Sequence, residues 1–314
     1  MINKKEIMGS DKVSYNSFEN GKFISGIKIS VVVPTYNSER TIKALIDSLE
    51  KLTVKPFEVI IIDDNSTDDT YEIAKKTAFN VRRTDKNAGP AKARNLGIKL
   101  ARGDIIAFTD ADCEVAPDWI ETILKNFQTN DLKVLMGNVK IPKSTFLGDS
   151  ISALGFPGGG SIGFDKVWKV DKDGNTDHIT SCNFAVRKEV FQKYGAFDES
   201  FPLPGSEDPE LSYRLTQKRV PIKFISDVIV FHEPRANLMS FVKWQITRGR
   251  GNYYFKKRIG SVKSFVKLRI WSSKNIIKTY YKDVKLPLIF FLLTLSFILQ
   301  QYGYVREKRA IKNS

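Results

Sequence analysis

The sequence is poor in the residues that build disulfide frameworks, metal clusters and leader peptides. It has two cysteines, Cys113 and Cys182, with no paired spacing. That excludes a disulfide scaffold and a cysteine zinc site, and it suits a reducing compartment. Two histidines, His178 and His232, are too few for a His-rich metal centre. Residues 1–26 hold no long apolar run, so they do not read as a signal peptide and are expected to form a flexible extension. No internal repeat or low-complexity tract is visible. A glycine-rich phosphate loop is also missing after the first apolar run, where Pro34-Thr35-Tyr36-Asn37 stands instead.

What is present is a series of apolar runs that end in polar clusters. Ile29-Ser30-Val31-Val32-Val33 stops at Pro34. Glu58-Val59-Ile60-Ile61-Ile62 stops at Asp63-Asp64-Asn65-Ser66-Thr67-Asp68-Asp69. Asp104-Ile105-Ile106-Ala107-Phe108 stops at Thr109-Asp110-Ala111-Asp112. Segments of helical spacing lie between them, such as Ile42, Leu45, Ile46 and Leu49, with Ser38 as a candidate cap. β-rich runs alternating with helices predict an α/β fold with a mainly parallel sheet, buried on both faces. Ligands of such sheets bind beyond the carboxyl ends of the strands, where these acids lie. Further strands are expected at Asn80–Arg83, 132–141, 179–187, 221–225 and 228–232. Between 147 and 177 there is no clean period, and Gly158-Gly159-Gly160 suggests a flexible lid or, less simply, a phosphate cradle. Asn87-Ala88-Gly89-Pro90 opens a helix whose N-terminus, with Lys92 and Arg94, offers amides and positive charge to an anion. The alternative there is an ordinary turn and a solvated helix face.

Val31-Val32-Val33-Pro34-Thr35-Tyr36-Asn37, Asp63-Asp64-Asn65-Ser66-Thr67-Asp68, Asp110-Ala111-Asp112 and Glu207-Asp208, in register, resemble the signature of family 2 inverting glycosyltransferases with the GT-A fold. The resemblance covers residues 28–232. It implies a nucleotide-sugar donor, a UDP- or GDP-sugar, lying against Pro34, Thr35, Tyr36, Asn37, Asp64, Lys92, Arg94 and Asp110. It implies a divalent cation, Mg2+ or Mn2+, on Asp112 with Asp110, and His232 matches a position that can reach metal or diphosphate. Carboxylate oxygens suit such an ion, which leaves sites for substrate phosphate. Asp208 matches the family's catalytic base and Glu207 its orienting neighbour. Gln245-Ile246-Thr247-Arg248 is similar to the Gln-x-x-Arg-Trp of processive relatives, but Gly249 replaces the Trp, which implies one transfer per encounter. The rival enzyme is a nucleotidyltransferase, which would be expected to carry the phosphate loop that is missing here. The rival outside enzymes is a basic binding module, against which the intact acids argue.

The net charge of +15 is unevenly placed. From Lys243 to Ser314 there are 17 Lys+Arg and two acids, Asp283 and Glu307, leaving 33 of each sign in the first 242 residues. Cationic residues interleaved with Trp, Tyr and Phe suit a membrane interface or nucleic acid. The adjoining apolar run decides for membrane, so no nucleic-acid partner is expected. The expected organisation is an extension at 1–26 and a catalytic domain at 27–237. A basic aromatic helical segment at 238–283, a transmembrane or re-entrant helix at 284–305 and a basic tail at 306–314 follow. The larger positive flank precedes the apolar run, so the catalytic domain is expected on the cytoplasmic side of the cell membrane. The acceptor is then a lipid-linked or other envelope glycan.

Overall fold

The fold is described from a computed structural model, which covers residues 16–19, 22–128, 131–260 and 263–312. Within the expected extension, β1 (Asn16–Glu19) and β2 (Lys22–Ser25) pair as an antiparallel hairpin, while residues 1–15 lie outside the described residues. The main chain of elements then runs β3 (Ile29–Thr35), α1 (Ile42–Glu50), β4 (Glu58–Asp63), α2 (Thr70–Lys75), β5 (Asn80–Arg83), α3 (Pro90–Leu100) and β6 (Ile105–Thr109). It continues through β7 (Cys113–Val115), α4 (Trp119–Gln128), β8 (Val134–Lys140), α5 (Phe146–Ser152), α6 (Phe164–Val167), β9 (Asn175–Thr176), β10 (Asn183–Arg187) and α7 (Lys188–Tyr194). Then come α8 (Glu207–Gln217), β11 (Ile222–His232), α9 (Leu238–Ile259), α10 (Lys263–Thr279) and α11 (Leu286–Lys312).

Among the described residues the main sheet has nine strands in the order β5-β4-β3-β6-β10-β8-β11-β7, with β9 on β11. The first four are parallel; β10 runs antiparallel between β6 and β8. Val31 and Val33 face one apolar core and Val32 the other, as do Val59 and Ile61 against Ile60 and Ile62. Burial on both faces is why these runs are continuously apolar rather than alternating. It also brings the ends of β3, β4 and β6 to one edge.

Several expectations change in detail. The two strands read at 221–225 and 228–232 are one strand, β11, with an irregularity between Ile225 and Ile229. The strand read from 179 begins at Asn183, because residues 181–182 turn. Ser38 does not cap α1 with its side chain; its hydroxyl donates to the Tyr36 carbonyl, and its own carbonyl accepts from Thr41 and Ile42. The triple glycine is neither lid nor phosphate cradle. All three residues are buried with positive φ, and a Cβ on Gly160 would lie 2.1 Å from the Ser152 carbonyl oxygen. The turn needs glycine for close packing.

The tail is an integral layer. α11 runs beyond the expected tail boundary to Lys312 and crosses α9 at two glycines. A Cβ on Gly249 would meet the Gln300 carbonyl oxygen at 2.1 Å, and one on Gly303 the Ile246 carbonyl oxygen at 2.2 Å. Polar contacts lock the crossing: Gln300 donates to Gln245 at 2.7 Å, and Glu307 accepts from Arg250 at 2.5 Å and Tyr254 at 2.8 Å. Ile289 and Leu292 join Ile151, Leu154 and Phe241 in a third core. The other side of α11 exposes Phe290, Phe291, Phe297, Ile298 and Tyr302. Among the described residues this is the one helix long and apolar enough to cross a bilayer.

Candidate active site

A cleft of about 900 Å³ opens at the carboxyl edge of β3, β4 and β6. Pro34, Thr35, Tyr36, Asn37, Asp64 and Asp110 are in its wall. Tyr36 is 47% exposed, so its ring is available for stacking. The loop that presents it is fixed by Asn37, whose amide N–H donates to the Ser66 hydroxyl and whose side-chain oxygen accepts from the Thr67 amide at 2.8 Å. Asn37 has φ 48, a conformation that Asn tolerates better than most residues.

Asp63 and Asp64 are buried and answered from within the chain. Asp63 accepts from the Ser66 amide and hydroxyl and pairs with Arg83 at 3.2 Å. Asp64 accepts from the Gly89 amide at 2.7 Å, the Ala88 amide at 3.1 Å and the Thr84 hydroxyl at 2.9 Å. The amides expected to meet an anion ahead of α3 are thus engaged by Asp64. Lys92 does not join the wall; it is exposed on α3.

Arg94 reaches the cleft as a strut rather than as a free cation. It is buried between Asp110 at 2.8 Å and Glu207 at 2.9 Å. The second oxygen of Glu207 accepts from the Gly205 and Ser206 amides. Glu207 therefore secures the start of α8 and the position of its neighbour, Asp208. Asp110 is drawn to Arg94; burial nevertheless raises Asp110 above the usual carboxylate range, against the pull of Arg94 and with the charge of Asp112 adding to the rise.

Among the described residues, the group that could hold a metal is Asp112, Cys113 and His232, whose ligand atoms lie within 4.8 Å of one another. His232 Nδ1 donates to the Glu233 carbonyl at 2.8 Å, which leaves Nε2 facing Asp112 at 3.4 Å. A ring fixed in that way offers Nε2 to an ion shared with the carboxylate. The Asp112 side chain is 38% exposed to the cleft, leaving room for substrate oxygens. Burial pushes the Cys113 thiol well up, so it is a poor ligand beside an oxygen and nitrogen pair.

Cys113 does something else: it contacts the Cys182 thiol, and both are free cysteines. Ser181, beside Cys182, donates its amide to Asp208 at 3.4 Å. Two bridges therefore join the Asp112 side to the Asp208 side: Cys113 with Cys182, and Asp110-Arg94-Glu207. Burial, then the charge of Glu207, push Asp208 up to about 7, against Arg94 and Arg248. A carboxylate near neutrality is suited to accept a proton. Sequence reasoning missed Arg235, which lines the same cleft three residues after His232; the Glu233-Pro234-Arg235 run after a strand was its only local signal.

A mainly parallel sheet with its acids gathered at one edge is the architecture of nucleotide-sugar transferases of the GT-A type. Its solved neighbours share that fold. The S. aureus TarS fragment 1–349 is 20% identical, covering 90% of this chain and 92% of its own, with a TM-score of 0.52. The mannosyltransferase PcManGT of Pyrobaculum calidifontis is 18% identical, covering 90% and 83%, with a TM-score of 0.54. Residues 30–195 match the family described as Glycosyl transferase family 2, and the chain belongs to that family of glycosyltransferases. It is 27% identical to a chondroitin synthase of Pasteurella multocida over 74% of this chain and 26% of that protein. It is 26% identical to glycosyltransferase AglE of Haloferax volcanii over 71% of this chain and 72% of that protein. The chain spans about a quarter to a third of the length of the chondroitin and hyaluronan synthases that it matches.

Proposed function

We propose that the chain moves a sugar from a UDP- or GDP-sugar, with inversion, onto a lipid-linked or other envelope glycan. The observation that carries this reading is the pairing, across two short bridges, of the Asp112–His232 donor set with the perturbed Asp208. Structural neighbours support the donor class: TarS has been solved with UDP-GlcNAc, and PcManGT with GDP-Man and Mn2+. Asp112 and His232 fit a Mg2+ or Mn2+ ion, which when bound neutralises charge on the leaving diphosphate. Tyr36 stacks on the base, and the Asp64-braced loop shapes the pocket around it. Asp208 accepts the proton of the acceptor hydroxyl as its oxygen bonds to the anomeric carbon. The bond from that carbon to the diphosphate oxygen breaks on the opposite face, which inverts the centre.

Membrane attachment is part of the proposal and rests on α11. Its exposed Phe290, Phe291, Phe297 and Ile298 suit lipid, and Lys282, Arg306, Lys308 and Arg309 suit anionic headgroups on the cytoplasmic side. The opposite side is committed to α9, which favours a helix lying along the surface over one crossing alone.

The test is a screen of sugar nucleotides with Mn2+ or Mg2+, reading released nucleoside diphosphate. Asp112→Asn should abolish metal-dependent donor binding while leaving the fold intact. Full activity in excess EDTA removes the metal from the reading. Flotation with phosphatidylglycerol vesicles should be lost in Phe290→Glu/Phe297→Glu; if the double variant still floats, α11 is not the attachment.

A further inference from the structure

Outside the donor wall, three arginines from three separate elements converge on shared aromatic rings. Arg235 follows β11, Arg248 lies on α9 and Arg269 on α10. The Arg248 guanidinium is 4.5 Å from the Phe156 ring and 5.2 Å from that of Trp244. Arg269 stands 4.1 Å from the same Phe156 and 5.4 Å from Trp168. Arg235 is 4.8 Å from Trp244. The result is a ladder that runs from Arg235 in the cleft wall through Trp244 and Arg248 to Phe156, Arg269 and Trp168.

No hydrogen bond or ion pair answers any of the three among the described residues. The Nε atoms of Arg235 and Arg248 are buried without a partner. The contrast within the molecule is Arg94, which has two carboxylates. Ring faces attract a guanidinium but take none of its directed N–H bonds. His178, stacked on Trp168 and held uncharged by burial and by Arg269 and Arg248, supplies no negative charge. The carboxylate charge that Arg248 does feel is that of Asp208 and Glu207.

We infer that this ladder binds a phosphate group carried by the acceptor, as a diphosphate or phosphodiester near the hydroxyl that Asp208 activates. The inference rests on Asp208 as the base. The direction of the ladder separates this site from the donor's diphosphate. Of the three, Arg235 lines the donor cleft, whereas Arg248 and Arg269 are outside its wall and meet at Phe156. Guanidinium forks match phosphate oxygens in pairs, and three of them suit a doubly charged group.

The test uses the full chain with UDP and Mn2+ at saturation, so that the donor side is filled. Tryptophan fluorescence, from Trp168 and Trp244 in the ladder, follows titration with geranyl diphosphate, inorganic pyrophosphate, glycerol phosphate oligomers and geraniol. Geranyl diphosphate should bind at least tenfold more tightly than geraniol. Arg269→Gln and, separately, Arg235→Gln should each weaken diphosphate binding about tenfold or more, with UDP affinity unchanged for Arg269→Gln. Tighter binding of the oligomers than of the geranyl compound supports a phosphodiester polymer, and the reverse supports a lipid diphosphate. Equal binding of geraniol and geranyl diphosphate overturns the inference. So does a loss of UDP affinity in Arg269→Gln, which would give the ladder to the donor, or unchanged phosphate binding in both variants. Asp208→Asn keeps the two readings apart. If it retains transfer while Arg269-dependent phosphate binding persists, the proposed base fails and the phosphate site stands.

Discussion

Arg94, buried in the cleft wall, and Arg269, half-buried outside it, meet their surroundings in opposite ways. Arg94 sits between Asp110 and Glu207, with ion pairs of 2.8 and 2.9 Å. Arg269 rests on Phe156 and Trp168, and no carboxylate comes within ion-pair distance of it among the described residues. The donor flank repeats the first pattern: Asp63 has Arg83 and Ser66, and Asp64 has two amides and a hydroxyl. A buried charge that is answered by its own chain shapes the site. A partly desolvated charge left unanswered raises the free energy of the apo protein, and a ligand of opposite sign offsets that. The same distinction applies to Asp208, which is raised because its surroundings disfavour the anion.

Asp208→Asn bears on this most directly and should have the largest effect, a fall in turnover of about two to four orders of magnitude at saturating substrates. In the wild type the rate should rise with pH through about 7, since the base must be ionised. The sign of the stability effect is opposite. The folded carboxyl titrates above its unfolded value, so its favourable contribution is full at low pH and disappears as pH passes the folded pKa. Asp208→Asn should therefore melt higher than wild type at pH 8 and nearly level with it at pH 4. A lower melting temperature at pH 8 contradicts the burial argument, and near-normal turnover moves the base elsewhere.

The arginines themselves give the next contrast. Arg94→Met strands Asp110 and Glu207, and urea denaturation should show a loss of about 3–5 kcal/mol. Arg269→Met strands no acid and should leave stability equal or higher. Equal losses in the two variants would erase the distinction between the flanks. A smaller effect is expected at the α9–α11 crossing, where Gly249→Ala forces a Cβ against the Gln300 carbonyl. Overpacking of this kind costs about 1–3 kcal/mol, readable as a lower melting temperature. The smallest effect belongs to Lys92→Ala. The side chain is exposed and outside the cleft wall, so stability should stay within about 0.5 kcal/mol and UDP affinity should hold. A clear loss of UDP affinity would return Lys92 to the donor site.

The sheet, and the gathering of its acids at one edge, were legible in the chain. Val31-Val32-Val33, Ile60-Ile61-Ile62 and Ile105-Ile106-Ala107-Phe108 are β-rich, apolar on both alternating sets, and end in polar residues. Strand period, burial on two faces and termination are properties of neighbours in sequence, and they alone deliver Asp64, Asp110 and Asp112 to one edge. His232 and Asp208 were singled out by the family resemblance, and the structure places them at the end of β11 and in the first turn of α8. Which of these acids would be free was not legible. Asp110 is held by Arg94, and Arg94 by Glu207 at a separation of 113 residues. The Cys113–Cys182 contact, the convergence of Arg235, Arg248 and Arg269, and the seating of α11 on α9 at Gly249 and Gly303 are likewise matters of long-range packing. An apolar run announces its own burial, because the hydrophobic effect has no direction and needs no particular partner. A charge or a glycine takes its meaning from the atom placed opposite it, and that atom is brought there only when distant elements close into one structure.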